Sequence, residues 1–112
     1  MSHPTQNYGV PFDAFTKGTA EAIALVVAGG VGKVHYIPDI AGASDKSGTE
    51  LFVDVGTATR FSVTLGSPNA VAFQKTFSSP IVGSSNVSVR VRIGSATTSS
   101  WANIGGYTVS YS

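Results

Sequence analysis

Ala102-Asn-Ile-Gly-Gly-Tyr-Thr-Val-Ser-Tyr111 decides the reading of this chain. After the Gly105-Gly106 bend, Tyr107, Val109 and Tyr111 fall on one face and Thr108 and Ser110 on the other, the period of two that a strand imposes on its side chains. A small apolar strand in this place closes a β-sandwich. Working back along the chain, the same alternation recurs in short runs separated by Gly, Ser, Thr, Asn and Pro. Its cleanest instance is Asn86 to Ile93, where Val87, Val89, Val91 and Ile93 point inward and Ser88, Arg90 and Arg92 outward. Phe61, Val63 and Leu65 alternate with Ser62 and Thr64 after a turn at Gly56, and Leu51, Val53 and Val55 oppose Phe52 and Asp54. Lys33 to Ile40 sets Val34 and Tyr36 against His35 and Ile37, with Pro38 expected to end the strand or place it at a sheet edge. Val71 to Phe77 reads as a further irregular strand and Ser78-Ser-Pro80 as a turn. Thr19 to Ala28 is too short and too abruptly stopped by Gly29-Gly30 for a helix, and reads as a strand. The expectation is all-β: a single antiparallel β-sandwich or jelly roll of about seven to eight strands.

Residues 1–18 hold Pro4, Gly9, Pro11, Gly18 and three spaced aromatics, Tyr8, Phe12 and Phe15. They read as an extended N-terminal arm, leaving 19–112 as the sandwich domain. Aromatics on an arm need a surface to cover, on the same chain or on a neighbour, because ordering a terminus costs entropy that contacts must offset. Removing residues 1–18 is therefore expected to leave the fold intact.

Composition narrows the function classes. The 112 residues, 42% of them hydrophobic, suit one domain with a modest core. Charged residues are only 12% and the net charge is +1, with the seven basic side chains scattered among six acids, so no basic run tracks a phosphate backbone. Nucleic acid is not an expected partner. The absence of cysteine excludes disulfides and thiolate metal sites. The start lacks the basic and apolar regions of a signal peptide, and no apolar run approaches the ~20 residues that span a bilayer, so the protein is expected to be made and kept in the cytoplasm until assembled, with no membrane partner.

Each apparent site motif has an ordinary reading. Ala28-Gly-Gly-Val-Gly-Lys33 lacks the first Gly and the hydroxyl of a phosphate loop, since Val27 and Val34 stand there, and its Lys enters a strand rather than a helix. His3 and His35 have no second ligand at metal spacing. His35, Asp39 and Ser44 are residue types of a catalytic triad without its signature. Asp39, Asp45, Glu50 and Asp54 match no calcium-loop spacing. Asn86-Val-Ser88 is a sequon only in a secreted eukaryotic chain. No catalytic, cofactor or metal residue is expected. Trp101 with Tyr107 and Tyr111 offers aromatic faces on which a sugar ring could stack, but Tyr107 and Tyr111 share the face of Val109, which favours their being core or interface residues of the last strand. Arg90 and Arg92, on one outward strand face, are candidates to pair with carboxylates of a neighbouring subunit.

Gly32-Lys-Val-His-Tyr-Ile37, Val55-Gly-Thr-Ala-Thr-Arg-Phe-Ser-Val63 and Asn103-Ile-Gly-Gly-Tyr-Thr-Val-Ser-Tyr111, following a small apolar strand, resemble the small β-sandwich virion proteins of tailed bacteriophages. These occur as head decoration or minor structural proteins and as modules of tail fibres. The resemblance, from about Thr19 to the end, implies no enzymatic activity. It implies a capsid decoration (cement) protein on the outer surface of the phage head, partnered by the major capsid protein and by copies of itself, most simply as a homotrimer. Tyr8, Phe12, Phe15, Arg90 and Arg92 would be its contact residues. The alternative it leaves is a tail-fibre module that binds a receptor or glycan through Trp101.

Overall fold

The computed structural model describes residues 9–19, 21–46, 48–65, 72–96 and 99–111. Eight strands run in chain order: β1 Val10–Gly18, β2 Ile23–Val26, β3 Lys33–Ser44, β4 Glu50–Val55, β5 Ala58–Thr64, β6 Phe73–Val82, β7 Val89–Ile93 and β8 Ser100–Ser110. There is no helix among the described residues. The strands form two four-stranded sheets with orders β1-β8-β3-β6 (sheet A) and β2-β7-β4-β5 (sheet B), every ladder antiparallel. Strand 1 lies beside 8, 2 beside 7, 3 beside 6 and 4 beside 5, as if one long hairpin had been rolled up. That order makes the sandwich a jelly roll.

Alternation builds the interior. Leu51 and Val53 from β4, Val89, Val91 and Ile93 from β7, Ile37 and Ile40 from β3, and Ala102 and Ile104 from β8 are buried between the sheets. The β5–β6 side is closed by aromatics, with Phe61 edge-on to Phe77 at 5.2 Å. Gly56-Thr57 joins β4 to β5 as a two-residue hairpin loop with Gly at the first, positive-φ position (+60°), the arrangement whose twist suits the flanking strands.

Three expectations change. Pro38 neither ends β3 nor puts it at an edge, because β3 is a central strand of twelve residues between β8 and β6. It is tolerated because it sits in a β-bulge: Tyr36 pairs with Tyr107 and Asp39 with Gly105, so Ile37 and Pro38 together oppose the single residue Gly106. The extra residue resets the alternation, which is why Ile37 and Ile40, three apart, are both buried. Ser78-Ser-Pro80, expected as a turn, lies inside β6 opposite the same bulge, where the β3–β6 pairing jumps from Ile37↔Ile81 to Asp39↔Thr76. Val71 lies outside the described residues.

The third change concerns the arm. Residues 10–18 are not irregular: they form β1, in continuous register with β8 from Val10↔Thr108 to Gly18↔Ser100. Phe12, Ala14 and Thr16 face in while Asp13, Phe15 and Lys17 face out, and Phe12 and Ala14 pack against the core. Pro11 is compatible with this because β1 is an edge strand. The body of the sandwich thus begins at Val10, and deleting residues 1–18 would remove a strand.

Candidate contact surfaces

The polar residues that evoked catalysis serve the fold separately. His35, 3% exposed, is held at both ring nitrogens: Nε2 donates to the Val27 carbonyl and Nδ1 meets the Thr108 hydroxyl, each at 2.7 Å. Asp39 faces the opposite side of the sheet and accepts from Thr76 Oγ1 at 2.8 Å. Ser44 donates to the Ser95 carbonyl at 2.7 Å. Lys33, the lysine of the glycine-rich loop, donates through Nζ to Ser110 Oγ at 2.8 Å. No group of three or more metal-ligating His, Asp or Glu side chains occurs among the described residues.

The surfaces that stand out are for contact. On the outer face of sheet B, register brings Arg90 opposite Asp54 and Arg92 opposite Phe52. Asp54, 1% exposed, accepts from Arg90 Nε at 2.7 Å and Arg92 Nε at 2.6 Å on one oxygen, and from Thr59 Oγ1 at 2.8 Å on the other. Burial alone would raise the Asp54 pKa, but the hydrogen bonds from Arg92, Arg90 and Thr59 outweigh it and hold the carboxyl below its ordinary value. Arg92 also lies over the Phe52 ring, 4.0 Å from its centroid. Arg90 and Arg92 thus have an intramolecular carboxylate partner that sequence reading did not pair with them.

Beside this cluster runs β2. It is an edge strand whose outward residues Ile23 and Leu25 are 39% and 49% exposed, followed by Val27 at 68%. The β1 edge of sheet A packs on the same side and adds Phe15, 60% exposed. One flank of the jelly roll therefore carries two strand edges, unpaired among the described residues, with apolar side chains around them.

On sheet A, Phe15 and Trp101 form a tilted pair at 5.9 Å, and Trp101 is half-buried. The structure does not bring Trp101 to the tyrosines: it lies six positions along β8 from Tyr107, about 20 Å at strand rise. Tyr107 instead stacks on Tyr36, with ring centroids 5.2 Å apart and planes 6° apart, and the Tyr36 and Tyr111 hydroxyls are hydrogen-bonded to each other. That hydrogen bond, with burial and the neighbouring phenols behind it, raises the Tyr36 pKa. Of the expected contact residues, Phe12 is inside, edge-on to His35 at 5.4 Å, Phe15 is on the surface, and Tyr8 lies outside the described residues. Tyr36 was missed because only the β3–β8 register joins it to Tyr107.

No protein-family model matches this chain, and no curated protein matches it. Solved structures overlay loosely. The CBM36-1 domain of a multidomain xylanase from the hindgut metagenome of Trinervitermes trinervoides is 9% identical, with TM-score 0.41 over 91% of this chain and 98% of that one. Aeromonas hydrophila PliG, a periplasmic inhibitor of g-type lysozyme, is 9% identical, with TM-score 0.35 over 94% and 92%. The extra small virus particle of the giant freshwater prawn Macrobrachium rosenbergii is 8% identical, with TM-score 0.38 over 93% and 81%. Likenesses this loose say nothing about what the chain binds.

Proposed function

We propose that this jelly roll is a virion structural protein of the decoration type, sited on the outer surface of a phage head and acting through contacts with the major capsid protein and with copies of itself. The supporting observation is the β1–β2 flank. The β2 edge, unpaired among the described residues and followed by Val27, exposes Ile23, Leu25 and Val27, which is an aggregation hazard for a solitary domain, since such edges are usually guarded with charge, and an asset for one that assembles. The neighbouring arginines fit the same use, since apolar and arginine-rich surface is typical of protein interfaces. A chain with this flank works by being covered.

Light scattering combined with co-sedimentation on empty phage heads tests the reading. Wild type is expected to be a trimer that binds heads. Leu25→Glu should be monomeric and lose head binding while its unfolding free energy stays within about 0.5 kcal/mol, because Leu25 lies outside the core. A wild-type monomer that ignores heads would overturn the proposal and turn attention to the glycan-binding alternative.

A further inference from the structure

On the outer face of sheet A, register sets two carboxylates on either side of a glycine. Asp13 of β1 and Asp39 of β3 are both paired with Gly105 of β8, so no side chain projects between them. One pair further along, Asn103 lies between Phe15 and Ala41, and Gln74 of β6 is paired with Ala41. Asp13, Asp39, Asn103, Gln74 and Gly105 line a single depression of about 240 Å³. Neither carboxylate has a cationic partner among the described residues. Asp39 Oδ1 accepts from Thr76 Oγ1 at 2.8 Å, which orients that carboxylate and leaves its second oxygen unbonded. Asn103 Oδ1 is buried and has no hydrogen-bond partner. A buried acceptor without a donor is costly, and native structures rarely keep one unless an ion, a water or a function accounts for it.

We propose that this depression is a divalent-cation site of the calcium type, with Asp13, Asp39 and Asn103 Oδ1 as its protein ligands and Gln74 Oε1 available as a fourth. Calcium takes carboxylate and amide oxygens alike and completes its 6–8 positions with water. A cation held over Gly105 also gives the orphaned amide oxygen the positive partner it lacks. The spacing closes. Two inter-strand steps put the Asp13 and Asp39 Cα atoms about 9.6 Å apart. Two Ca–O bonds cover about 5 Å of that, and each Asp side chain spans the short remainder. Magnesium, with bonds of about 2.0–2.1 Å and a strict octahedral demand, suits donors fixed on separate strands less well. Such a site is invisible to loop spacing because three strands assemble it. It belongs to the single chain and does not rest on the assembly reading.

Calcium chloride titrated into the full chain, followed through its amide NMR signals, tests the site. Saturable shifts are expected at the Asn103 side-chain amide and the Gly105 backbone amide, half complete below about 1 mM, with a rise in Tm in the same buffer. Magnesium chloride should act at least about tenfold more weakly. Asp13→Asn, an exposed residue with no bonding role in the fold, should keep the calcium-free spectrum and Tm and lose at least about tenfold in calcium affinity. Asn103→Ala should be at least as stable as wild type without calcium and gain less from it, a contrast that a merely structural asparagine would not show. Shifts that stay linear up to about 10 mM calcium, or that magnesium reproduces at equal ionic strength, would overturn the proposal, since screening of two exposed carboxylates explains both. Undiminished calcium affinity in either variant would overturn it as well.

Discussion

Gly106→Ala is expected to destabilise the protein by about 3 kcal/mol or more, while Gly105→Ala, one residue earlier in the same strand, is expected to be close to neutral. Gly106 is the residue opposed by the two-residue bulge of β3, and a Cβ on it would lie 2.0 Å from the Tyr36 carbonyl oxygen and 2.8 Å from Phe12 Cζ. The phenyl ring has some room to turn, but the carbonyl belongs to the ladder between two central strands, so relief requires moving β3 or β8. Overpacking that displaces backbone lies at the upper end of the ~1–3 kcal/mol seen for extra methylenes in a packed interior, and it is a large share of a total stability of order 5–15 kcal/mol. At Gly105 the nearest atom to an added Cβ is Asp39 Cβ at 4.0 Å, an ordinary contact. Alanine there also lowers the entropy of the unfolded chain. Urea midpoints of the two variants give the test. Equal midpoints would mean that the bulge does not fix the approach of Tyr36 to Gly106.

That contrast also marks what alternation in the sequence does and does not reveal. The faces of β4, β5 and β7 follow from a period of two, and Val89, Val91 and Ile93 are buried as that period requires. The bulge at Pro38 was not legible, because a proline in a strand signals an interruption without saying whether the strand resumes. β1 was hidden for another reason: Pro11, Ala14 and Thr16 give little hydropathy contrast, and an edge strand needs little. The choice between sandwich and jelly roll rests on which strands pair. A ladder such as β1 with β8 joins residues about 90 positions apart, a relation that no local pattern carries.

The contact surfaces were legible in part for the same cause. Trp101, Tyr107 and Tyr111 share the parity that suggested a platform, but parity fixes a face and not a distance, and Trp101 lies with Phe15 while Tyr107 lies with Tyr36. Alternation set Asp54 with Phe52 opposite Leu51, Val53 and Val55, and the two arginines on an outward face. Only the β4–β7 register, Asp54↔Arg90 and Phe52↔Arg92, turns three separate surface residues into one buried carboxylate with two cationic covers.

Asp54→Asn should therefore cost about 2–3 kcal/mol and remove part of the protein's sensitivity to acid. Breaking a fully buried ion pair typically costs 3–5 kcal/mol. The figure here is lower because the arginine side chains are 35% and 27% exposed, so water partly screens the two cations left without their anion. The pH dependence follows from the lowered Asp54 pKa. The unfolded chain, whose aspartates titrate near ~3.9, takes up a proton on Asp54 before the folded chain does. The stabilisation is thus fully present above that value and is lost as pH falls through the lower folded one. Urea unfolding from pH 7 down to pH 2 should show wild type and Asp54→Asn well apart at neutral pH and converging in acid. Parallel curves at all pH values would mean that the carboxylate's charge contributes nothing and that Arg90 and Arg92 are held by packing on Phe52 and the neighbouring strands. Convergence would instead identify Asp54 as the anchor that keeps two arginines fixed beside the exposed β2 edge, presenting their remaining donors in a set geometry to whatever covers that flank.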